Sequence, residues 1–168
     1  MNYLSEEQLA VYCPADRFLS QFSEKEQGVI KSAISILENG FNSGLLIYSP
    51  QALKEYVRLK NAGLKRELFR VILLDAQRKL ISDEVMFVGT ISQTSVYTRE
   101  VIKFALSKNA SACILYHNHP SGLARPSKAD ELLTQSLKAA MQVFDIILLD
   151  HLISSDIDSF SMAESGII

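Results

Sequence analysis

Apolar and polar positions alternate along the chain in blocks that predict helices and strands in turn. Before residue 43, apolar residues recur every three or four positions and indicate one amphipathic helix that ends near Asn39 and Gly40. The apolar face of this helix must pack against the rest of the chain or against a partner. Its members are Val29, Ile30, Ala33, Ile34 and Leu37.

From residue 45 onward, short apolar runs typical of strands are interleaved with amphipathic segments typical of helices. Strands are predicted at 45–48, 69–74, 79–88, 112–116, 146–153 and 160–163, and the second and third of these form a hairpin. Helices are predicted to begin at Ser49-Pro50 and at Thr98, and to carry the apolar stripe from Ala129 through Leu132 to Phe144. This order implies an α/β fold in which helices pack on the faces of a sheet.

Composition narrows the class of protein. A chain of 168 residues suits one domain with a modest extension, and 48% apolar against 21% charged residues excludes full-length disorder. The net charge of −2 excludes a protein that acts through overall positive charge, although not one with a local basic patch. Cys13 and Cys113 are the two cysteines, so a disulfide framework and a cysteine-based zinc knuckle are both excluded.

The ends of the chain and its apolar runs bear on location. The N-terminal residues lack the basic start and apolar stretch of a secretory signal. No run approaches the roughly 18 apolar residues that a membrane span requires. We therefore expect a cytoplasmic protein that makes no membrane contact.

The residues that could bind a metal lie in and around one loop. His117 and His119 stand two positions apart just beyond a predicted strand, so in an extended chain both imidazoles project from one face. Asp130 follows close to the start of the next helix, and three protein ligands with an open fourth position define a catalytic zinc site. Ser127 and Asp130 also match a capping box, which is compatible with ligation by Asp130.

The wider pattern resembles a known family. His-x-His, seven residues and Ser-x-x-Asp, with an upstream glutamate, resembles the JAMM motif of MPN-type zinc metallopeptidases and isopeptidases. The longer sequence segments around this motif are similar to the RadC branch of that family. The glycine hairpin of a helix-hairpin-helix region, which longer RadC proteins carry, is not seen before residue 40, so the chain is more similar to the short RadC-like proteins of prophages. The similar segments are 67–75, 89–91, 99–101, 117–122 and 150–153.

This resemblance implies a three-layer α/β/α domain with a mixed sheet over residues 43–168, preceded by a helical extension over 1–42. It implies Zn²⁺ held by His117, His119 and Asp130, and a peptide or protein as the substrate. Glu67 would be the general base for the zinc-activated water, and Ser127 would hydrogen-bond near that water or the oxyanion. Without the resemblance, Glu67 is typical of an exposed acid beside Arg66. Glu84 and Glu100 are weaker candidates for the same role.

Two further features have ordinary structural explanations. His151 lies in an apolar strand, where a core histidine with satisfied hydrogen bonds is typical; supporting a ligand, or replacing Asp130 as one, is the alternative. The stretch from Lys54 to Arg70 carries an excess of four positive charges, which suits a solvated helix face or a weak nucleic-acid contact. No interleaved aromatic residues support a nucleic-acid groove there.

Several function classes compete. A zinc peptidase or isopeptidase is the leading hypothesis, and a DNA-repair-associated or protein-binding module with a structural or idle zinc site is the alternative. A nucleobase deaminase is excluded because its H-x-E…P-C-x-x-C signature is absent. An HNH nuclease is excluded because its name refers to dispersed residues, unlike the contiguous tripeptide at 117–119. The apolar face before residue 43 would also suit a homodimer.

Overall fold

The structure is a computed structural model that describes residues 21–42, 49–89 and 95–168. Four helices and five strands lie within these ranges, and none of the helices is long and apolar enough to cross a membrane. The helices are α1 (Glu24–Asn42), α2 (Pro50–Asn61), α3 (Thr98–Ser107) and α4 (Lys128–Gln142). The strands are β1 (Leu68–Leu74), β2 (Leu80–Val88), β3 (Ala112–Asn118), β4 (Ile147–Ser154) and β5 (Ser159–Ser161).

The five strands form one mixed sheet in the order β2-β1-β3-β4-β5. β1 is antiparallel to β2 and β3, β3 is parallel to β4, and β5 is antiparallel to β4. The turn between β1 and β2 forms because Asp75 Oδ1 accepts hydrogen bonds from the backbone N–H groups of Gln77 and Lys79, at 2.8 and 2.9 Å. The predicted hairpin is therefore confirmed.

Helices cover both faces of the sheet. Because successive side chains of a strand point to opposite faces, Val71 and Leu73 of β1 join the core that contains α3 and α4. Ile72 and Leu74 join the core formed with α2. The result is the predicted α/β fold with helical layers on either side of a mixed sheet.

A buried polar cluster on the α2 face ties that helix to the sheet. Asp83 of β2, whose side chain is 5% exposed, accepts hydrogen bonds from the hydroxyls of Tyr56 at 2.6 Å and Tyr116 at 2.7 Å. Arg70 Nε lies 3.4 Å and Lys60 Nζ 3.5 Å from its carboxylate. Burial raises the pKa of Asp83, but the two cations and two hydroxyls outweigh burial, so the net pKa is lowered. We call these five residues the Asp83 cluster.

The first helix differs in detail from its prediction. It runs to Asn42 instead of ending at Gly40. Its apolar face is only partly covered: Leu37 packs against the α2 core, whereas Val29 is 64% exposed. The predicted strand at 45–48 lies outside the described residues, and the domain boundary at 42/43 remains a prediction.

The apolar stripe predicted for the last helix is too wide. α4 ends at Gln142, so Phe144 lies beyond it and is 48% exposed, just before Asp145 with a left-handed φ of 56°. Leu132 is 55% exposed within the helix. Leu132 stands nine positions before the fully buried Met141, which is about 180° around the helix, so it lies opposite the face that contacts the sheet.

Candidate metal site

The two candidate histidine ligands lie at the end of β3. The strand continues two residues beyond the predicted end at Tyr116, so His117 lies inside it and His119 directly follows it. The backbone N–H of His119 donates to the carbonyl of Ser154 at 2.8 Å, which keeps the chain beside β4 past the end of the strand. Both imidazoles consequently reach one point, as their spacing predicts.

A tight turn after β3 leads the chain back towards α4. Gly122 has a φ of 90°, a conformation that favours glycine, and its N–H donates to the carbonyl of His119 at 3.0 Å. The next residue, Leu123, places its carbonyl oxygen 2.9 Å from Nδ1 of the His119 ring. The loop then reaches Ser127, which is the N-cap of α4.

The side chains of His117, His119 and Asp130 converge. The two Nε2 atoms are 2.9 Å apart, Asp130 Oδ1 is 3.4 Å from Nε2 of His117, and Asp130 Oδ2 is 3.7 Å from Nε2 of His119. Ligands at about 2.0–2.1 Å from a tetrahedral zinc ion lie roughly 3.3 Å from one another. The group therefore has the donor types and the spacing of a three-ligand metal site.

Asp130 serves the helix and the cluster with different oxygens. Ser127 donates to Asp130 Oδ2 from its backbone N–H at 2.7 Å and from its hydroxyl at 2.6 Å, while Asp130 N–H donates back to Ser127 Oγ at 3.2 Å. This is the predicted capping box. Oδ1 is the oxygen nearer His117, so capping and ligation do not compete for one atom.

The ring of His119 has a defined tautomer. A carbonyl oxygen can only accept a hydrogen bond, so Nδ1 of His119 carries the proton that bonds to Leu123, and in the neutral ring Nε2 presents a lone pair. A backbone carbonyl behind the ring is the usual support of a metal-binding histidine. Nε2 of His117 faces this lone pair at 2.9 Å, so a proton or a cation is required between the two nitrogens.

A second chain of hydrogen bonds begins on the other side of His117. Its Nδ1 lies 2.9 Å from Nε2 of His151, and Nδ1 of His151 lies 2.6 Å from the hydroxyl of Thr134 in α4. Burial lowers the pKa of His117 to about 4, although the nearby Asp130 opposes that shift. Burial also lowers the pKa of His151 well below its usual value. Both rings are therefore neutral at pH 7, which is the state that binds metal.

Glu67 is positioned by the residue between the two histidines. Asn118 is 3% exposed; its Oδ1 accepts from the N–H of Leu68 and its Nδ2 donates to the carbonyl of Arg66, both at 2.8 Å. Phe69 is the register partner of His117 in the antiparallel β1–β3 pair, so continuing that register places Glu67 opposite His119. Asn118 therefore clamps the Glu67 segment beside the ligands. Glu67 is not a member of the three-residue donor group.

A comparison with protein-family models agrees with the fold, the donor group and the capping box of Asp130. The model of the RadC-like JAB domain matches residues 47–167. This chain belongs to that family. The RadC-like JAB domain thus includes all five strands described above, the three converging donor residues and Glu67, while the whole of α1 precedes the matched region.

Curated relatives of this RadC-like chain carry the name UPF0758 protein. One from Leptothrix cholodnii is 53% identical over 120 residues, which cover 71% of this chain and 54% of the relative. Others from Pseudoalteromonas translucida and Aromatoleum aromaticum are 44% and 47% identical over 142 and 143 residues, which cover 84% of this chain and 63% and 64% of the relatives. The chain thus spans a little over half to just under two thirds of the length of these proteins.

The remaining candidates in this RadC-like chain lie elsewhere or are already paired. Glu84 is exposed on β2, and Glu100 lies in the first turn of α3. In the basic stretch from Lys54 to Arg70, four side chains form ion pairs with acids of the chain itself. These four are Lys54 with Glu164, Arg58 with Glu55, and Lys60 and Arg70 with Asp83.

Sequence reasoning missed two residues of the site, Asn118 and Thr134. Asn118 is the middle letter of the His-x-His pattern, and nothing in its position along the sequence indicates a bond to residues 66 and 68. Thr134 lies one helical turn after Asp130, and its hydroxyl lies 2.6 Å from both the Asp130 carbonyl and His151. The i+4 spacing from Asp130 was the available signal.

Proposed function

We propose that this chain is a zinc-dependent hydrolase that cleaves amide bonds in a peptide or protein, as a peptidase or isopeptidase. The observation that carries the proposal is the convergence of two imidazole nitrogens and one carboxylate oxygen beside a clamped glutamate. Three protein donors leave one position for a water or a substrate, as in catalytic zinc sites. The RadC-like JAB fold supports the same class of reaction.

In this proposal each residue has a separate task. His117, His119 and Asp130 would hold the ion, which when bound would lower the pKa of a water to about 7 and polarise the scissile carbonyl. Glu67 accepts a proton on its carboxylate and passes it to the nitrogen of the leaving amine. Ser127 holds Oδ2 of Asp130 through its own N–H and hydroxyl. To act as the donor to the oxyanion, its hydroxyl would have to turn its one proton away from Asp130.

The test combines metal analysis with cleavage of a peptide library. We expect about one zinc ion per chain by mass spectrometry, and loss of that ion in the double variant His119→Ala, Asp130→Ala. Glu67→Gln should keep the zinc but lose about 100-fold or more of the hydrolysis rate, since general-base catalysis contributes about that factor. Glu84→Gln, at an exposed acid of β2, is the matched control and should retain both.

Two results would count against the proposal. Absence of zinc from the wild-type protein after reconstitution would remove its basis. Bound zinc without hydrolysis of any peptide or isopeptide bond would favour the binding module, in which the metal only supports the fold.

A further inference from the structure

The two histidine ligands differ in what stands behind them. His119 faces the carbonyl of Leu123, which can only accept, so its protonated nitrogen is fixed. His117 faces another histidine, His151, and a histidine nitrogen can donate or accept. The chain behind His117 ends at the hydroxyl of Thr134, which can also do both. The protonated nitrogen of His117 is therefore not fixed by its immediate partner.

Two proton arrangements satisfy this chain. In the first, the Thr134 hydroxyl donates to Nδ1 of His151, Nε2–H of His151 donates to Nδ1 of His117, and Nε2–H of His117 donates to the lone pair of His119. In the second, the Thr134 hydroxyl donates to the Asp130 carbonyl at 2.6 Å instead, and Nδ1 is the protonated nitrogen of both rings. His117 then presents a bare Nε2 towards His119 and Asp130.

Which arrangement is preferred depends on what lies between the ligands. Without a cation, two bare nitrogens 2.9 Å apart repel each other, so the first arrangement is more stable. A cation requires a lone pair from each imidazole, so only the second arrangement binds it. Each ring carries one proton in both arrangements and the threonine hydroxyl keeps its own, so no group changes its charge.

We propose that Thr134 and His151 form a reversible hydrogen-bond chain that switches His117 from Nε2-protonated to Nδ1-protonated when the site binds its cation. The switch rests on the proposed function only in that a cation binds to the ligands. Each ring loses the proton on Nε2 to water and gains one on Nδ1 from water during local opening, so the number of protons is conserved. His151 and Thr134 are positioning residues, since neither belongs to the converging donor group.

The hydrogen-bond chain is buried, so the group at its end affects metal binding. His151 and Thr134 are both fully buried, so water cannot replace a missing partner. Without the Thr134 hydroxyl, the metal-binding arrangement leaves the Nδ1–H of His151 as an unpaired buried donor. Support of this kind behind a metal-binding histidine is worth about 10–100-fold in metal affinity.

The test reads the tautomers directly. Protein labelled with ¹⁵N-histidine is compared by long-range ¹H–¹⁵N correlation before and after addition of Zn²⁺. We expect the protonated nitrogen of both His117 and His151 to change from Nε2 to Nδ1, while His119 keeps its proton on Nδ1. Either His151 or His117 showing the same tautomer in both states would overturn the switch.

Two variants test the end of the chain. Thr134→Val keeps the shape of the side chain but removes the hydroxyl, and it should weaken Zn²⁺ binding about 10–100-fold in competition with a chelator. Thr134→Ser keeps the hydroxyl and should remain within about threefold of the wild-type protein. A folded Thr134→Val protein that binds as tightly as Thr134→Ser would overturn the role of Thr134. Failure of the wild-type protein to bind Zn²⁺ would instead contradict the proposed function, whereas zinc binding with unchanged tautomers would contradict only the switch.

Discussion

Replacement of Asn118 by alanine tests how the Glu67 segment is attached to the metal site. The substitution removes the two 2.8 Å hydrogen bonds to Leu68 N–H and to the Arg66 carbonyl. Because Asn118 is 3% exposed, water reaches those groups poorly, and each buried group left without a partner costs about 1–3 kcal/mol. We expect the free energy of unfolding to fall by about 2–6 kcal/mol.

The same substitution should separate metal binding from hydrolysis. The Asn118 side chain bonds to Leu68 and Arg66 and not to the three donor residues, so the affinity for Zn²⁺ should stay within about threefold of wild type. The rate of peptide hydrolysis should fall about 100-fold, because displacement of a catalytic group by about 1 Å has that effect. Unfolding is followed by circular dichroism in urea, and metal affinity by competition with a chelator.

Asn39→Ala provides the control, since Asn39 lies exposed on α1 far along the chain from the site. This variant should change the unfolding free energy by no more than about 0.5 kcal/mol, as is usual for surface substitutions. Two results would refute the clamp of Asn118 on the Glu67 segment. One is an Asn118→Ala variant as stable as Asn39→Ala; the other is a variant that releases the metal while hydrolysis persists in proportion to bound zinc.

Three other predictions concern pH, a buried ion cluster and a buried thiol. Because the pKa of His117 is lowered from 6.5 to about 4 in the folded protein, its neutral ring contributes stability above pH 6.5 that is lost as pH falls towards about 4. In urea titrations the free energy of unfolding of the metal-free protein should fall by roughly 3 kcal/mol over that range. A free energy of unfolding that does not change with pH would contradict this. Asp83→Asn should cost about 3 kcal/mol because it removes the buried carboxylate that pairs with the partly buried Lys60 and Arg70, whereas Tyr116→Phe should cost only about 1 kcal/mol. Equal losses in thermal unfolding would exclude the ionic explanation. Burial raises the pKa of the Cys113 thiol, so in a Cys13→Ser variant a thiol reagent should react only after denaturant is added; rapid labelling of the native protein would show that Cys113 is accessible.

Much of the fold was predictable because its signals are local. Ser49 caps α2 through the bond from Ala52 N–H to its hydroxyl, and Ser127 caps α4, as the Ser-Pro and Ser-x-x-Asp patterns predict. The hairpin of β1 and β2 follows from two apolar runs separated by a polar turn. The predicted stripe on α4 was too wide because it included Leu132, which lies about 180° around the helix from the buried Met141.

The convergence of the three donor residues was predictable, but the residues that support them were not. His117, His119 and Asp130 occur within 14 residues, and their chemical types alone indicate a metal. His151 stands 34 residues from His117, and the sequence left open whether it is a core residue or supports a ligand. The structure gives it both properties, since it is fully buried and bonded to His117. Only the parallel pairing of β3 with β4 brings the two rings together.

That pairing also bears on the order in which the site can be assembled. The three ligands, His151 and Thr134 all lie between Ala112 and Ser154, in one continuous strand–helix–strand unit. Glu67 lies outside it and arrives only when β1 pairs with β3. If the donor group binds an ion as proposed, a folding chain would be able to bind it within a single crossover before the remaining strands are in place, and the ion would then act as a folding nucleus. Refolding that is faster with Zn²⁺ than with a chelator, to the same degree in Asn118→Ala, would be the kinetic signature of this order.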